Sequence, residues 1–405
     1  MKKQHVNISI PKEVVVEILR RVPCQDLCET LKKVCMQWCS IIYSGSFAYS
    51  HVERGILKSS SSFSQLEAVL IDKTDDTRSV TVSALEWHRS FPNYPHREHE
   101  EEWEITYMYT LDYELYYITH MMTVNSVNGF VCFWSSNARV YVCNPMTEEY
   151  FATPPYTYET SYLPHRLAAV GFGFCQLSYE YKVIVFRDDS ARLMEYGEMK
   201  PLVFTVGIDR SWRSLNKIPD RKFLSRIEKG THVKGVLYWY TLQDSKRFKS
   251  LLCFDVSKEE VFTTMVPAEL NSLEEGGRSI TRIAEKGGNL CLINISYGPI
   301  YSLLIKVYIA HTSTDLSSLN SWKKEFNVTV PNMAYQINMT WWFISIFTDD
   351  MLVIDIKGES EIVIDVATGM LLSELSLRGS GIVIHYVPSL VSLSHRPPIL
   401  NSNFR

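Results

Sequence analysis

The sequence predicts a mainly β protein with a small α module: three short helices at the N-terminus, then a β-propeller with six blades favoured. Three observations carry this. The first part of the chain places apolar residues at helical spacing. From Phe63 to Leu393 that period gives way to short runs rich in Val, Ile, Tyr, Phe and Trp, separated by turn residues. Within that stretch, landmarks recur about 110 residues apart.

The helices come first. Pro11 to Pro23 reads as a helix between two prolines. Pro11 suits a helix start, where a missing N–H costs nothing. Pro23 cannot continue the helix and stops it. Val14, Val15, Ile18, Leu19 and Val22 share one face of a 3.6-residue period. A second pattern begins at Leu31 and continues through Val34, Cys35, Trp38, Ile41 and Ile42, with Leu27 and Cys28 on the segment between. So small a module buries little surface alone. Some of its apolar residues must therefore face a partner or the rest of the chain.

The landmarks are Ile10-Pro11, Glu17-Ile18-Leu19-Arg20-Arg21-Val22-Pro23, Asp26-Leu27, Val34-Cys35, Trp38, Ile41-Ile42, Ser46-Phe47 and His51. In this order and spacing they closely resemble the F-box. The opening Ile10-Pro11 departs from the usual Leu-Pro, a volume-conserving change. Lys32 stands where an aromatic or aliphatic residue is common. The resemblance implies docking on a Skp-type adaptor of an SCF (Skp–cullin–F-box) ubiquitin ligase. The expected contacts are Ile10, Pro11, Ile18, Leu19, Leu27, Val34, Trp38 and Ile42. The expected organisation is an F-box at 8–54, a linker at 55–62 marked by Ser59–Ser62, a β domain at 63–393 and a flexible tail at 394–405.

The β region is read from runs such as Arg139–Cys143, Tyr181–Phe186, Val203–Val206, Val236–Tyr240, Leu251–Phe254, Leu303–Ile309, Met351–Ile356 and Glu361–Asp365. Leu290 to Ala310 carries only Lys306 as a charge and imitates a membrane span. Gly298-Pro299 and the abundance of β-branched residues make it two buried strands joined by a turn.

The repeats decide the kind of β domain. Val140–Glu149, Leu251–Glu260 and Glu361–Met370 share one grammar: a strand, a turn opened by Asn144, Asp255 or Asp365, and a return strand. Asn and Asp open turns by bonding their own backbone further on. Ser211-Trp212-Arg213 and Ser321-Trp322-Lys323 repeat at the same spacing, interleaved with the first set. Two unit types alternating inside about 110 residues make each unit about 55, slightly above a four-stranded blade. Six such units fit, giving a propeller with blades paired in type. A pair of β-sandwiches is the runner-up.

Asn128-Gly129-Phe130-Val131-Cys132, Asn144-Pro145, Pro154-Pro155, Gly171-Phe172-Gly173-Phe174 and Tyr181-Lys182-Val183 are similar to the F-box-associated domain of plant proteins. The similarity continues through Trp212-Arg213, Gly235–Trp239 and Phe254-Asp255-Val256 to Tyr386–Val391. This resemblance implies a propeller-like substrate receptor.

Composition and a search for chemistry agree with a binding role. Charged residues are 21% and hydrophobic residues 46% of the chain, a globular balance. The net charge of −4 argues against a nucleic-acid footprint. Lys217, Arg221, Lys222, Arg226 and Lys229 are interrupted by acidic residues and read as a solvated loop. Nine scattered cysteines and no leader-like segment indicate reduced thiols in the cytoplasm or nucleus. Cys24, Cys28, Cys35 and Cys39 lack the Cys-x2-Cys knuckles of zinc sites and read as small buried helix residues. No metal or other cofactor is expected.

Gly171-x-Gly173 lacks the third glycine of a dinucleotide loop and reads as a place of close approach. Asp75-Asp76, Asp188-Asp189 and Asp349-Asp350 sit in turn contexts, and His96, His99 and Glu98–Glu102 form an acidic loop. Trp341-Trp342-Phe343 alternates faces on a strand, so at least one ring is core. No catalytic residue is expected. The reading is a substrate-recruiting subunit, reaching cullin and RING subunits through the Skp adaptor and presenting the propeller to a target protein. The alternative is a propeller-fold glycan-binding protein or hydrolase capped by the helices.

Overall fold

A computed structural model describes residues 10–59, 65–73, 79–88, 102–112, 121–135, 138–156, 166–188, 199–215, 228–242, 249–271, 279–298, 302–310, 322–331, 342–348, 351–356, 360–376 and 382–393. Four helices open it: α1 (Lys12–Leu19), α2 (Cys24–Glu29), α3 (Met36–Ile42) and α4 (Gly45–Ser59). A 3-10 turn at Leu31–Lys33 lies between α2 and α3. Pro11 and Pro23 stand immediately before α1 and α2, where neither N–H is needed. The apolar run from Leu31 to Ile42 is not one helix. Cys35 is extended (φ −161°, ψ 164°) and divides it.

The described strands form six sheets. The first holds β1 (Gln65–Lys73), β2 (Ser79–His88) and β3 (Glu102–Asp112). The second is β4 (Met121–Val127), β5 (Phe130–Ser135), β6 (Arg139–Asn144) and β7 (Glu149–Ala152). The third is β8 (Arg166–Cys175), β9 (Glu180–Asp188), β10 (Met199–Thr205) and β11 (Arg213–Ser214), with β12 (Glu228–Lys229) parallel to β8. The fourth is β13 (Thr231–Val233), β14 (Val236–Leu242), β15 (Lys249–Asp255) and β16 (Glu260–Met265), followed by the short helix α5 (Ala268–Asn271). The fifth is β17 (Ser279–Lys286), β18 (Asn289–Tyr297), β19 (Leu303–Ala310) and β20 (Trp322–Val330). The sixth is β21 (Trp342–Phe347), β22 (Met351–Ile356), β23 (Ser360–Asp365) and β24 (Leu371–Ser376). Finally β25 (Ile382–His385) returns to pair antiparallel with β1, Ala68 opposite His385 and Ile71 opposite Ile382.

The leading strands contact one another in a ring: β4 with β8, β8 with β13, β13 with β17, β17 with β21, β21 with β25, and β25 with β4. This is a β-propeller. Its ring closes by a strand from the far end of the chain, which also covers an edge that would otherwise be open. Leu290–Ala310 resolves into β18 and β19, turned by Gly298 N–H donating to the Ser302 carbonyl at 2.8 Å.

The 110-residue period marks alternate sheets. Asn144, Asp255 and Asp365 each end the third strand of their sheet. Each turns its Oδ1 onto the next residues: Asn144 accepts from Met146 N at 2.9 Å, Asp255 from Ser257 N at 2.9 Å, and Asp365 from Thr368 N at 2.8 Å. The interleaved tryptophans belong to the sheets between. Trp212 Nε1 donates to the Pro154 carbonyl at 2.7 Å and Trp322 Nε1 to the Met265 carbonyl at 3.3 Å. Pro154 follows the outer strand β7 of the second sheet and Met265 ends the outer strand β16 of the fourth, so each indole pins one sheet to the one before. Close approach is likewise met by glycine. A Cβ on Gly171 would stand 2.5 Å from Trp239 Cζ2, and one on Gly173 2.7 Å from Val256 Cγ2.

The expected linker at 55–62 is corrected. Residues 55–59 are not linker but the last turn of α4; residues 60–62 lie outside the described residues. The helices do not hang free of the propeller. Val15, Leu19, Cys24, Leu27, Ile41, Ile42, Phe47, Tyr49 and Val52 join one core with Phe130, Phe172, Phe174, Tyr181, Leu390 and Val391 of the β domain. Residues 1–9, the tail at 394–405, Asp75-Asp76, His96, His99, Glu98–Glu101, Asp189, Lys217, Arg221, Lys222, Arg226, Trp341 and Asp349-Asp350 lie outside the described residues.

Candidate partner-docking surface

Helix α1 places its apolar residues in two i, i+4 pairs. Val15 and Leu19 point into the common core, while Val14 and Ile18 stand 47% and 46% exposed. Two pairs one position apart cover adjacent faces of a helix, so α1 is apolar toward both the propeller and solvent. Ile10 (51% exposed), Pro11, Val34 (57%) and Met36 (87%) are exposed as well. Tyr43 is also exposed, and Trp38 is half-buried, with its inner side packed on the core. Exposed apolar residues gathered on so small a module make it the candidate interaction surface.

The eight residues expected to meet a partner therefore divide. Ile10, Pro11, Ile18, Val34 and Trp38 present surface. Leu19, Leu27 and Ile42 do not: they are 0%, 0% and 2% exposed. Their side chains seat the module on the propeller, because a module this small completes its core with borrowed residues. Val14, Met36 and Tyr43 are exposed and were not singled out. Val14 belongs to the apolar period of α1, which tells which residues share a stripe but not which part of it faces water.

The base of the surface is built by α4 and by the chain's last described stretch. Tyr49 stacks on Phe174 (ring centroids 5.8 Å apart) and meets Tyr179 edge-on at 5.1 Å. Burial raises the Tyr49 phenol above its ordinary value. Buried His51 shares a hydrogen bond with the Val22 carbonyl at 2.9 Å, tying α4 to the turn between α1 and α2. Residues 386–393 form a strap beneath. Asn144 Nδ2 donates to the Ser389 carbonyl at 2.9 Å and the Val391 carbonyl at 2.7 Å. Glu149 accepts from Ser392 Oγ at 2.7 Å and Leu393 N at 3.2 Å. Gly129 (φ +81°) lies so close that a Cβ would meet the Ser389 side chain.

Between the module and the second sheet lies a cleft of about 370 Å³, lined by Cys28, Lys32, Tyr43, Thr147, Glu148 and Leu390 among others. Of the helical cysteines, Cys24 is buried, Cys28 and Cys39 are half-buried, and Cys35 is exposed rather than packed. Among the described residues no three His, Cys, Asp or Glu side chains converge as a metal site. Nor, among them, is any helix long and apolar enough to cross a membrane.

Elsewhere a group of ion pairs joins the third and fourth sheets. Glu259 accepts from Lys182 Nζ at 2.8 Å and from both Arg213 terminal nitrogens at 2.7 and 2.8 Å, while Arg213 Nε also reaches Asp209 at 3.0 Å. The Arg213 hydrogen bonds, with those of Lys182, hold the Glu259 carboxyl down at about 2. In the β domain His232 and His385 are driven down to about 4 by burial. These groups hold strands and turns together, and they include no paired acid and base.

A closed propeller carrying a helical module with an outward apolar face defines a class of interaction protein. A family model described as "F-box associated beta propeller domain" matches residues 80–297, more than half of the chain. The chain belongs to this family of plant F-box proteins. At3g52320 of Arabidopsis thaliana, named as an F-box protein, is 26% identical over 264 residues, 64% of this chain and 61% of that protein. The chain thus spans about three-fifths of the length of that relative. F-box only protein 9 of the same plant is 23% identical over 397 residues, 95% of this chain and 96% of its own. Among solved structures, a variant of AofleA from Arthrobotrys oligospora covers 81% of this chain and 96% of its own at TM-score 0.40 and 9% identity. That likeness is too loose to add to the sheet arrangement.

Proposed function

We propose that the protein is a substrate-recognition subunit of an SCF-type ubiquitin ligase, docking on a Skp-type adaptor through its N-terminal helices. One observation carries the reading: α1 is apolar on two faces, and only one of them is spent on the propeller. Ile10, Pro11, Val14, Ile18, Val34 and Met36, with the open side of Trp38, supply the large apolar anchors that dominate such interfaces. The propeller holds a target beside ubiquitin-loaded subunits, and proximity is its contribution to the transfer. No residue of this chain takes part in the chemistry. The cullin and RING subunits are reached through the adaptor, in the cytoplasm or nucleus.

The test is adaptor co-purification with the double variant Ile18→Asp, Val34→Asp. Both side chains are about half exposed, so folding should change little, within about 0.5 kcal/mol each. Adaptor binding should fall at least about 30-fold, the scale of losing one anchor. Unchanged binding by a folded double variant would reject the ligase reading.

A further inference from the structure

The turn after the third strand recurs in the second, fourth and sixth sheets as Asn144–Glu148, Asp255–Glu259 and Asp365–Gly369. Its last residue is left-handed each time: Glu148 at φ +58°, Glu259 at +55° and Gly369 at +72°. Glycine takes this conformation freely, and glutamate is strained by it. At Glu259 the strain is offset. Its carboxylate accepts from Lys182 at 2.8 Å and from Arg213 at 2.7 and 2.8 Å, both in the preceding sheet. Glu148 holds the equivalent place, exposed, and its side chain has no ion pair or hydrogen bond among the described residues. In sequence, the outer strand of the first sheet reads Trp103-Glu104 where the third sheet has Trp212-Arg213, an acid in place of the arginine.

Glu148 instead lines the cleft between the propeller and the helical module, and Lys32 lines the same cleft from the module. Among the described residues Lys32 has no ion pair either, so an anion and a cation share one cleft without meeting. The other acid there, Glu149, is engaged by Ser392 and the Leu393 N–H. Tyr43, Met146 and Leu390 supply apolar wall. At about 370 Å³ the cleft lies at the small end of ligand sites. Two opposite charges held apart in one small cleft are complementary to a ligand that carries both on a short frame.

We propose that this cleft binds a free α-amino acid with an apolar side chain. Its ammonium group donates to Glu148, its carboxylate accepts from Lys32, and its side chain lies against Tyr43, Met146 and Leu390. A peptide N-terminus brings the ammonium group alone and meets repulsion from Lys32. A peptide C-terminus brings the carboxylate alone and meets repulsion from Glu148. Only the free zwitterion satisfies both. The bound amino acid touches the module and the propeller at once, so its binding clamps one to the other. The inference stands apart from the ligase reading, since the cleft lies inward of the exposed residues assigned to the adaptor.

Calorimetric titration of the full chain with L-phenylalanine should show saturable binding, and the same ligand should raise the melting temperature. L-Phenylalaninamide and N-acetyl-L-phenylalanine should each bind at least about tenfold more weakly, the scale of one charge-assisted hydrogen bond. Glu148→Gln and Lys32→Met should each weaken L-phenylalanine by a similar factor and melt like the parent without ligand. Glu148→Gly, which relieves the left-handed backbone, should melt no lower than the parent and still fail to bind, so that lost binding is separated from lost folding. Absence of saturable binding with both L-phenylalanine and L-leucine overturns the proposal. Equal binding of either derivative overturns it too, and assigns the cleft to a peptide end. Full affinity in Glu148→Gln or in Lys32→Met likewise rejects it.

Discussion

Trp212 and Trp322 hold equivalent places in two sheets, yet they differ in surroundings. Trp212 is packed between Tyr156, at 90° and 6.2 Å, and Phe204, at 5.4 Å. The Trp322 hydrogen bond is solvent-exposed. Trp212→Phe keeps most of the packing and loses the bond to Pro154, so urea unfolding should show a loss of about 1 kcal/mol. Trp212→Ala also opens a cavity and should cost about 3 kcal/mol. The Trp322→Ala cost should be clearly smaller. Equal costs at the two positions would mean that the shared spacing, and not local packing, sets their worth. Glu259 gives a residue-scale pH effect. Its folded value, about 2, lies below the ordinary 4.5. A depressed carboxylate stabilises the fold fully above its unfolded value, and that contribution is lost as pH falls from about 4.5 through 2. Melting temperature should fall across this window more steeply in the parent than in Glu259→Gln, which should be less stable at neutral pH. Parallel curves would assign the acid sensitivity elsewhere.

At the scale of elements, the inner strand β8 carries the consequence of its glycines. Gly171 leaves room for Trp239, whose Nε1 donates to the Val170 carbonyl at 3.1 Å, and so does neighbouring Gly230, where a Cβ would lie 2.8 Å from the indole. Gly171→Ala forces a rigid, buried ring aside and should destabilise by roughly 1–3 kcal/mol, read as a shifted urea midpoint with an unchanged slope. Helix α1 shows the other side of element-scale logic. Its Val14/Ile18 and Val15/Leu19 pairs are equally apolar in composition, and their fates differ only because the propeller lies on one side.

For the whole molecule, the strap makes the ends of the chain depend on each other. β25 closes the ring, and residues 386–393 then run beneath the helices contributed by the N-terminal segment. Asn144→Leu removes both donors to the strap and leaves the Ser389 and Val391 carbonyls buried with those bonds unmade, at about 1–3 kcal/mol each. Amide exchange of α4 should then rise together with that of residues 386–393, and calorimetry should show one transition in the parent. A fragment beginning at residue 65 should be β-rich but less stable than the full chain, since it uncovers Phe174, Leu390 and Val391. If α4 keeps its protection in Asn144→Leu, the module is seated by its own packing and the strap is a passenger.

The amino-acid sequence by itself determined the order of modules, the strand runs and the alternation of sheet types. Each rests on local chemistry: proline at helix starts, β-branched runs, and Asn144, Asp255 and Asp365 turning onto their own backbone. Of the eight residues expected to meet a partner, Ile10, Pro11, Ile18, Val34 and Trp38 have exposed surface. Only the tertiary structure decided which apolar residues are spent internally. Leu19, Leu27 and Ile42 vanish into a core completed by Phe174, Leu390 and Val391, residues far along the chain. A helical period reports a residue's angle around its own axis, and it carries no information about what stands opposite. The same reason hid the role of Tyr386–Val391 and the continuation of α4 through residues 55–59. The packing that holds α4 in place comes from the propeller it rests on.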